Sequence, residues 1–425
     1  SRMLLRLREE FGRSISINRF IEQPTIIKLA TLVRGTDDSA VLSAQAMADA
    51  ERALDIEPLP ISRMGDVHKV IVTGANSFVG VHIVEALLGW GASEVACLVR
   101  DGGGHTAAQR FAQALRENRL EHLDLSRVRV YAADITRPQL GLEDDDYQRL
   151  DREFGALVHN AANVNHVLDY ESLAADNVEP IFELLRLCEG RSKKVFNFVS
   201  TLSASSTVDD AGRVLELPAA PTPPIYIRNG YNLSKWVGER ILERARTLGV
   251  RVNLYRPGNI SFNSLSGVCQ PHKNRLMLML KGSIQLGQVP AFALNFDLMP
   301  VDFLARFIAF HASRYSAERA VFNLHNPEPL SWDAYVASFR DTGSEFSLVS
   351  VADWQQQLGR VDADNALFGV LGFYLNGFEE DIGDISLIGH ANAQAGVQQM
   401  GAHYPEKSPA LLRRGCDYLK EINFI

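Results

Sequence analysis

The chain has 425 residues, 46% of them hydrophobic and 22% charged, an ordinary globular composition with length for more than one folding unit. Its net charge of −8 excludes the basic surface that nucleic acid or an anionic membrane needs, and apolar runs such as 276–280 are far too short to span a bilayer. The 4 cysteines (Cys97, Cys188, Cys269 and Cys416) lie far apart and the 11 histidines form no HExxH-like pattern, which predicts reduced buried thiols, a cytoplasmic protein without a secretory leader, and no metal.

Residues 1–34 differ in character from the rest. Leu4, Leu5, Leu7 and Phe11 recur at helical spacing, and Gly12 stops the pattern. Ile15, Ile17, Phe20 and Ile21 follow, then Pro24-Thr25, where Thr25 is placed to cap a short helix through Leu32. The pattern FG-x-x-I…F…PTI-x-x-LA resembles the last helices of an acyl or peptidyl carrier domain. That resemblance implies a partial carrier whose phosphopantetheine-bearing serine would lie ahead of Ser1; a generic helical extension is the alternative. Residues 35–66 read as a linker. Gly35-Thr36-Asp37-Asp38-Ser39 is a polar break, 43–54 an Ala/Glu-rich helix, and Glu57-Pro58-Leu59-Pro60 favours extended backbone.

Alternation of strands and helices begins at Val67. Strands are expected over 69–73, 94–99, 128–132, 156–160, 194–200 and 250–255, and helices over 78–89, 107–119, 181–188 and 233–247. This pattern implies an α/β fold: a Rossmann-like doubly wound parallel sheet over 67–262, with right-handed crossovers and ligands at the carboxyl ends of the strands. Past Ile260 the alternation fades. Residues 263–425 are expected to form a smaller mixed subdomain for substrate, with segments returning to the sheet, and 277–280 and the 287–296 loop shaping an acyl pocket.

The run Lys69-Val70-Ile71-Val72-Thr73-Gly74-Ala75-Asn76-Ser77-Phe78-Val79-Gly80 reads as an apolar strand, a tight turn and a helix start. Thr73, Gly74, Asn76, Ser77, Phe78, Val79 and Gly80 form the predicted cofactor cradle, where backbone N–H groups at a helix N-terminus meet a dinucleotide pyrophosphate. Gly74 makes the bend and Gly80 permits close helix–strand packing. Ser77 replaces the middle glycine of TGxxGxxG, adding a β-carbon and a hydroxyl where the pyrophosphate would lie. The second strand ends Val99-Arg100, with an apolar residue where NAD enzymes place a ribose-binding carboxylate and an arginine suited to a 2′-phosphate. NADPH is the predicted cofactor, although a slip in register to Asp101 would favour NAD. Arg110 is either a second clamp or an exposed helix charge. Asp134-Ile135 suits an adenine-edge contact, with a turn cap as the other role for Asp134.

Val158-His159-Asn160-Ala161-Ala162 ends the fourth strand in small residues that let the cofactor backbone pass, which adds Asn160, Ala161 and Ala162 to the site. Asn177 either braces that loop or starts the next helix. Ser200 and Thr201, at the end of the fifth strand, carry hydroxyls that can donate to a substrate carbonyl. Tyr231-Asn232-Leu233-Ser234-Lys235 sets a phenol and an ammonium one helical turn apart. Tyr231 is the predicted proton donor, with Lys235 lowering its pKa and binding the nicotinamide ribose. Arg256-Pro257-Gly258-Asn259-Ile260 gives a rigid turn whose Pro257, Gly258 and Asn259 line the nicotinamide pocket. A cradle followed by a Tyr/Lys pair is what reduction of a carbonyl by hydride requires.

In this order TGxxxxxG, Arg100, the HNAA loop, Ser200-Thr201, YxxxK and RPGN resemble the extended short-chain dehydrogenase/reductase family. Within it the chain is similar to the terminal thioester reductase domains of nonribosomal peptide synthetases, a likeness carried also by 134–142 and by Val321-Phe322-Asn323-Leu324-His325-Asn326-Pro327. The resemblance implies Thr201, Tyr231 and Lys235 as the catalytic triad, with Ser200 the second choice of hydroxyl. It implies NADPH-dependent release of a carrier-bound aminoacyl or peptidyl thioester as an aldehyde, with a second reduction to the alcohol left open. The implied partner is an upstream peptidyl carrier domain bearing the phosphopantetheine-linked acyl chain, the protein being a monomeric part of a larger synthetase. A fatty acyl-CoA or carboxylic acid reductase, and a redox-inactive cyclising or docking module of the same fold, are the alternatives.

Overall fold

Val70, Ile71 and Val72 are all buried in the first strand, as side chains covered on both faces of a parallel sheet must be. The structure is a computed structural model that describes residues 2–11, 24–34, 43–205, 207–223, 227, 229–374 and 384–425. Its main sheet contains β1 (Asp66–Thr73), β2 (Glu94–Val99), β3 (Val128–Ala132), β4 (Phe154–His159), β5 (Val195–Val199), β6 (Val252–Pro257) and β7 (Val321–Leu324). Their order is β7-β6-β5-β4-β1-β2-β3, and every pairing is parallel. The chain winds outward from β1 through β3, then crosses to β4 on the other side of β1. The switch point therefore lies between β1 and β4, where Thr73 pairs with His159 and the two following loops meet.

One face of the sheet packs on the Phe78–Gly89 helix and on Val301–His311, whose Phe303, Leu304, Phe307 and Ile308 join Val81 and Ile83 in one core. The other face is covered by Glu179–Cys188 and Gly230–Leu248. A third core, around Trp332, Trp354, Leu412 and Leu419, belongs to the C-terminal half. Leu7, Leu29, Leu32 and Val33, from the N-terminal helices Arg2–Phe11 and Ile26–Arg34, lie against this third core. Among the described residues no helix is long and apolar enough to cross a membrane.

Several elements differ from their expected bounds. β4 starts at Phe154, two residues early, because Gly65 and Gly155 let the backbones of β1 and β4 close together; a β-carbon on Gly65 would lie 2.2 Å from the Phe154 carbonyl oxygen. β6 begins at Val252 and ends at Pro257 instead of spanning 250–255. The helix expected over 43–54 covers only Ala44–Ala50, capped where Ser43 Oγ accepts the Ala46 N–H. An extra helix, Tyr170–Asn177, precedes the one expected at 181–188. β7 lies beyond the point where alternation faded, and its paired residues in β6 are 67 positions earlier, so no local pattern marks it. Gly12, Ile15, Ile17, Phe20 and Ile21 of the carrier-like pattern, and the polar break 35–39, lie outside the described residues.

Candidate active site

Gly74 has φ +61°, and a β-carbon there would stand 2.8 Å from Ala161 Cα. Only glycine allows both the turn and the approach of the β4 loop. Ser77 has φ −79° and ψ 167°, ordinary extended backbone, so its departure from glycine causes no strain. It caps the Phe78–Gly89 helix: its Oγ accepts the Gly80 N–H at 2.9 Å and the Asn160 side-chain amide at 2.9 Å. Gly80 lies beneath this turn, where a β-carbon would come within 2.1 Å of the Gly74 oxygen.

A cavity of about 1350 Å³ runs from this turn along the carboxyl edge of the sheet into the C-terminal half. Gly74, Asn76, Ser77, Phe78 and Val79 line one end, followed by Asn160, Ala161 and Ala162 from the facing loop. Arg100, Arg110, Asp134 and Ile135 line its flank. Ser200, Thr201, Tyr231, Lys235, Pro257, Gly258 and Asn259 line its middle.

Three residues of the expected site, Thr73, Gly80 and Asn177, lie beside the cavity and not on its wall. Thr73 is buried, and its Oγ1 accepts the Asn160 and Ala161 N–H groups at 3.0 and 3.1 Å, fixing the β4 loop. Gly80 serves packing. Asn177 ends a helix instead of starting one; its amide donates to the Asn163 carbonyl and to Ser234 Oγ, both at 3.0 Å, bracing the loop against the Tyr231 helix.

At the flank, Arg100 is exposed at the end of β2, and its carbonyl accepts from the Arg110 guanidinium. The Asp101 carboxylate is turned away, accepting the Ala107 N–H at 2.6 Å at the start of the next helix. Asp134 faces the cavity and also caps its own turn, accepting the Thr136 N–H at 3.0 Å and hydroxyl at 2.6 Å.

Asn229 caps the Gly230–Leu248 helix and so sets Tyr231 and Lys235 in its first turns, both facing the cavity. Lys235 Nζ donates to the Val199 carbonyl at 2.9 Å and lies 5.9 Å from the centre of the Tyr231 ring. Burial pushes the Tyr231 phenol up to about 12 and holds the Lys235 ammonium down at about 8, with Glu239 opposing the latter. The shift runs opposite to the expected lowering by Lys235, and its cause is the removal of the phenol from water. Ser200 is also corrected as a donor to substrate, because its hydroxyl donates to buried Glu239 at 2.6 Å. Thr201 remains at the wall, its Oγ1 accepting the Ser203 N–H at 3.4 Å.

Sequence reasoning missed three residues here. Glu239, one turn beyond Lys235, forms a fully buried ion pair with Arg256 at 2.7 Å. The pattern YxxxKxxxE followed by RPGN carries the signal for it. Asp297 is buried against the Pro257–Asn259 turn and accepts the Asn259 N–H at 2.8 Å. Burial raises its carboxyl to about 6. His166, just past the β4 loop, sets its ring edge-on to Tyr231 at 4.7 Å. Of the expected acyl-pocket segments, Met277 and Phe296 reach the cavity, whereas Leu280 is buried in the core and Gln288–Pro290 forms a strand with Ser347–Val349.

A family model described as male sterility protein matches residues 72–308. An isonitrile lipopeptide synthase of Streptomyces coeruleorubidus is 32% identical over 389 residues, which cover 87% of this chain and 26% of that protein. Other curated relatives are also much longer, the chain spanning between 8% and 37% of their lengths. Among solved structures, the terminal R domain from the myxalamid PKS-NRPS biosynthetic pathway is similar with a TM-score of 0.76 at 25% identity, over 90% of this chain and 98% of that one. A thiolation-reductase di-domain from an archaeal non-ribosomal peptide synthetase has a TM-score of 0.76 at 21% identity, over 99% of this chain and 90% of its own, a likeness of fold.

Proposed function

The chain belongs to the male sterility protein family, and on that premise we propose that it is the terminal reductase domain of a nonribosomal peptide synthetase. It releases a carrier-bound aminoacyl or peptidyl thioester as an aldehyde, using NADPH, and can carry the aldehyde on to the alcohol. The observation that carries this reading is the single cavity on which the Gly74 turn, Arg100 and the Thr201–Tyr231–Lys235 group all open. The residues suit a dinucleotide: the Gly74–Ala161 approach has no room for a side chain, and the Phe78–Gly89 helix presents its N-terminus there. When bound, the reduced nicotinamide supplies hydride.

The chain's own groups do the rest. Tyr231, protonated at neutral pH, donates a proton to the thioester carbonyl oxygen as negative charge develops on it, and Thr201 provides a second hydroxyl donor. Lys235 offsets the charge left on the phenolate. Collapse of the resulting thiohemiacetal breaks its C–S bond, giving the aldehyde and the free thiol of the arm.

NADPH in preference to NADH is supported by Arg100 at the cavity and by the Asp101 carboxylate turned onto a helix start. Arg100→Ala is expected to raise KM for NADPH at least about tenfold and to change KM for NADH little, since only the phosphate loses a charge-assisted contact. Equal losses with both cofactors would assign Arg100 a structural role.

An upstream carrier domain as partner is supported by the fold likeness to a thiolation-reductase di-domain and by the N-terminal helices lying against the C-terminal core. A cytoplasmic location is part of the same proposal. The test supplies NADPH and one acyl group either on an intact carrier or on free pantetheine, with product identification. The aldehyde is expected from both. The carrier-bound form, with the carrier joined to the N-terminal end of this chain, should react faster at equal concentration, because tethering raises the local concentration of the arm to roughly the millimolar range. No aldehyde from either would reject the reductase reading; equal rates, or a preference for acyl-CoA, would favour a freely diffusing substrate.

A further inference from the structure

Beyond Tyr231 the cavity continues between the helices Arg275–Leu286, Trp332–Asp341 and Pro409–Glu421. Its walls there include Phe262, Met277, Phe296, Phe339, Leu412 and Leu419. Two thiols, Cys269 and Cys416, also face it, and burial raises both, so they are neutral. Nearby polar side chains are engaged within the protein: the Tyr335 hydroxyl lies 3.8 Å from Met277 Sδ, and Asn274 Oδ1 accepts the Met277 N–H at 3.0 Å. The Arg275 guanidinium stacks 4.4 Å from the Phe373 ring centre. The polar wall residues Gln270, Lys273, Asn274 and Arg275 lie on one short segment, so a charged group set against Phe339, Leu412 and Leu419 would lose its water without a fixed partner there.

Gly415 gives this end its depth. A β-carbon on it would stand 2.5 Å from the Phe262 ring, so any side chain there drives Phe262 off its present position. Both residues line the cavity.

We propose that this end of the cavity selects an uncharged apolar acyl group, alkyl or aryl, and that Gly415 sets its depth through Phe262. The inference rests on the reading of the chain as a thioester reductase. It makes the enzyme a selector of the acyl chain as well as of its thioester head.

The experiment measures kcat/KM, with NADPH, for acetyl-, octanoyl- and glutaryl-pantetheine on the intact chain. Efficiency should rise by up to about fourfold per buried methylene from acetyl towards octanoyl. Glutaryl should fall well below octanoyl, because Lys273 is exposed and the Arg275 guanidinium is held over the Phe373 ring. Gly415→Val should collapse the octanoyl-to-acetyl ratio by at least about tenfold, and Leu412→Trp, which fills the same space, should do so if the first variant is unstable.

Binding of the matching non-reducible pantetheine amides, measured by calorimetry, separates this claim from the reductase reading. Should no thioester be reduced, tighter binding of the octanoyl amide, weakened by either variant, still supports the apolar site while rejecting the reaction. Equal efficiencies and equal binding across the three acyl groups, or a preference for glutaryl, would overturn the inference.

Discussion

Tyr231→Phe is expected to cut turnover by roughly two to four orders of magnitude while leaving NADPH affinity nearly unchanged. The variant keeps the ring that meets His166 and removes only the hydroxyl at the cavity wall. Steady-state reduction of a thioester, paired with a fluorescence titration of NADPH, reads both quantities. Near-normal turnover would remove Tyr231 from the role of proton donor. The pH profile of kcat/KM adds a second reading. Lys235, held at about 8, loses its positive charge as pH rises through that value, whereas Tyr231, near 12, stays protonated. Activity should therefore fall on the alkaline side near pH 8, and that limb should shift upward in Lys235→Arg, whose guanidinium stays charged.

Glu239→Ala is expected to lower the unfolding free energy by about 3–5 kcal/mol, because it leaves Arg256 charged and fully buried without its carboxylate. Among the described residues Arg256 would retain one of its present acceptors, the Leu217 carbonyl at 2.7 Å. Ser200 would lose its acceptor as well. Urea unfolding measures the change, and a loss below about 1 kcal/mol would show the pair to be solvated or replaceable. Replacing both partners together, as Glu239→Leu with Arg256→Met, should recover much of the loss, since apolar substitutes of similar volume leave no charge unpaired. Because Glu239 supports the charged form of Lys235, Glu239→Ala should also move the alkaline limb of the rate profile to lower pH.

What the sequence by itself determined is local. Strand–helix alternation implied the parallel sheet, and the bounds of β2, β3 and the Phe78–Gly89 helix were legible to the residue because their apolar runs end at turn or capping residues. The bend at Gly74 and the spacing of Tyr231 and Lys235 are likewise set by φ/ψ and by the 3.6-residue helical turn, which neighbouring residues decide. Only the tertiary structure decided which strand ends became neighbours. β7 joins the sheet through a partner far back in the chain, and Thr73, Asn160 and Ala161 converge because β1 lies beside β4. It also divided the work between two adjacent hydroxyls, giving Ser200 to Glu239 and leaving Thr201 at the cavity, and it turned Asp101 onto a helix start. The direction of the Tyr231 shift belongs to this second class. Spacing on a helix shows that a lysine is near a phenol; how far each has been removed from water depends on everything packed around them, and here desolvation raises the phenol.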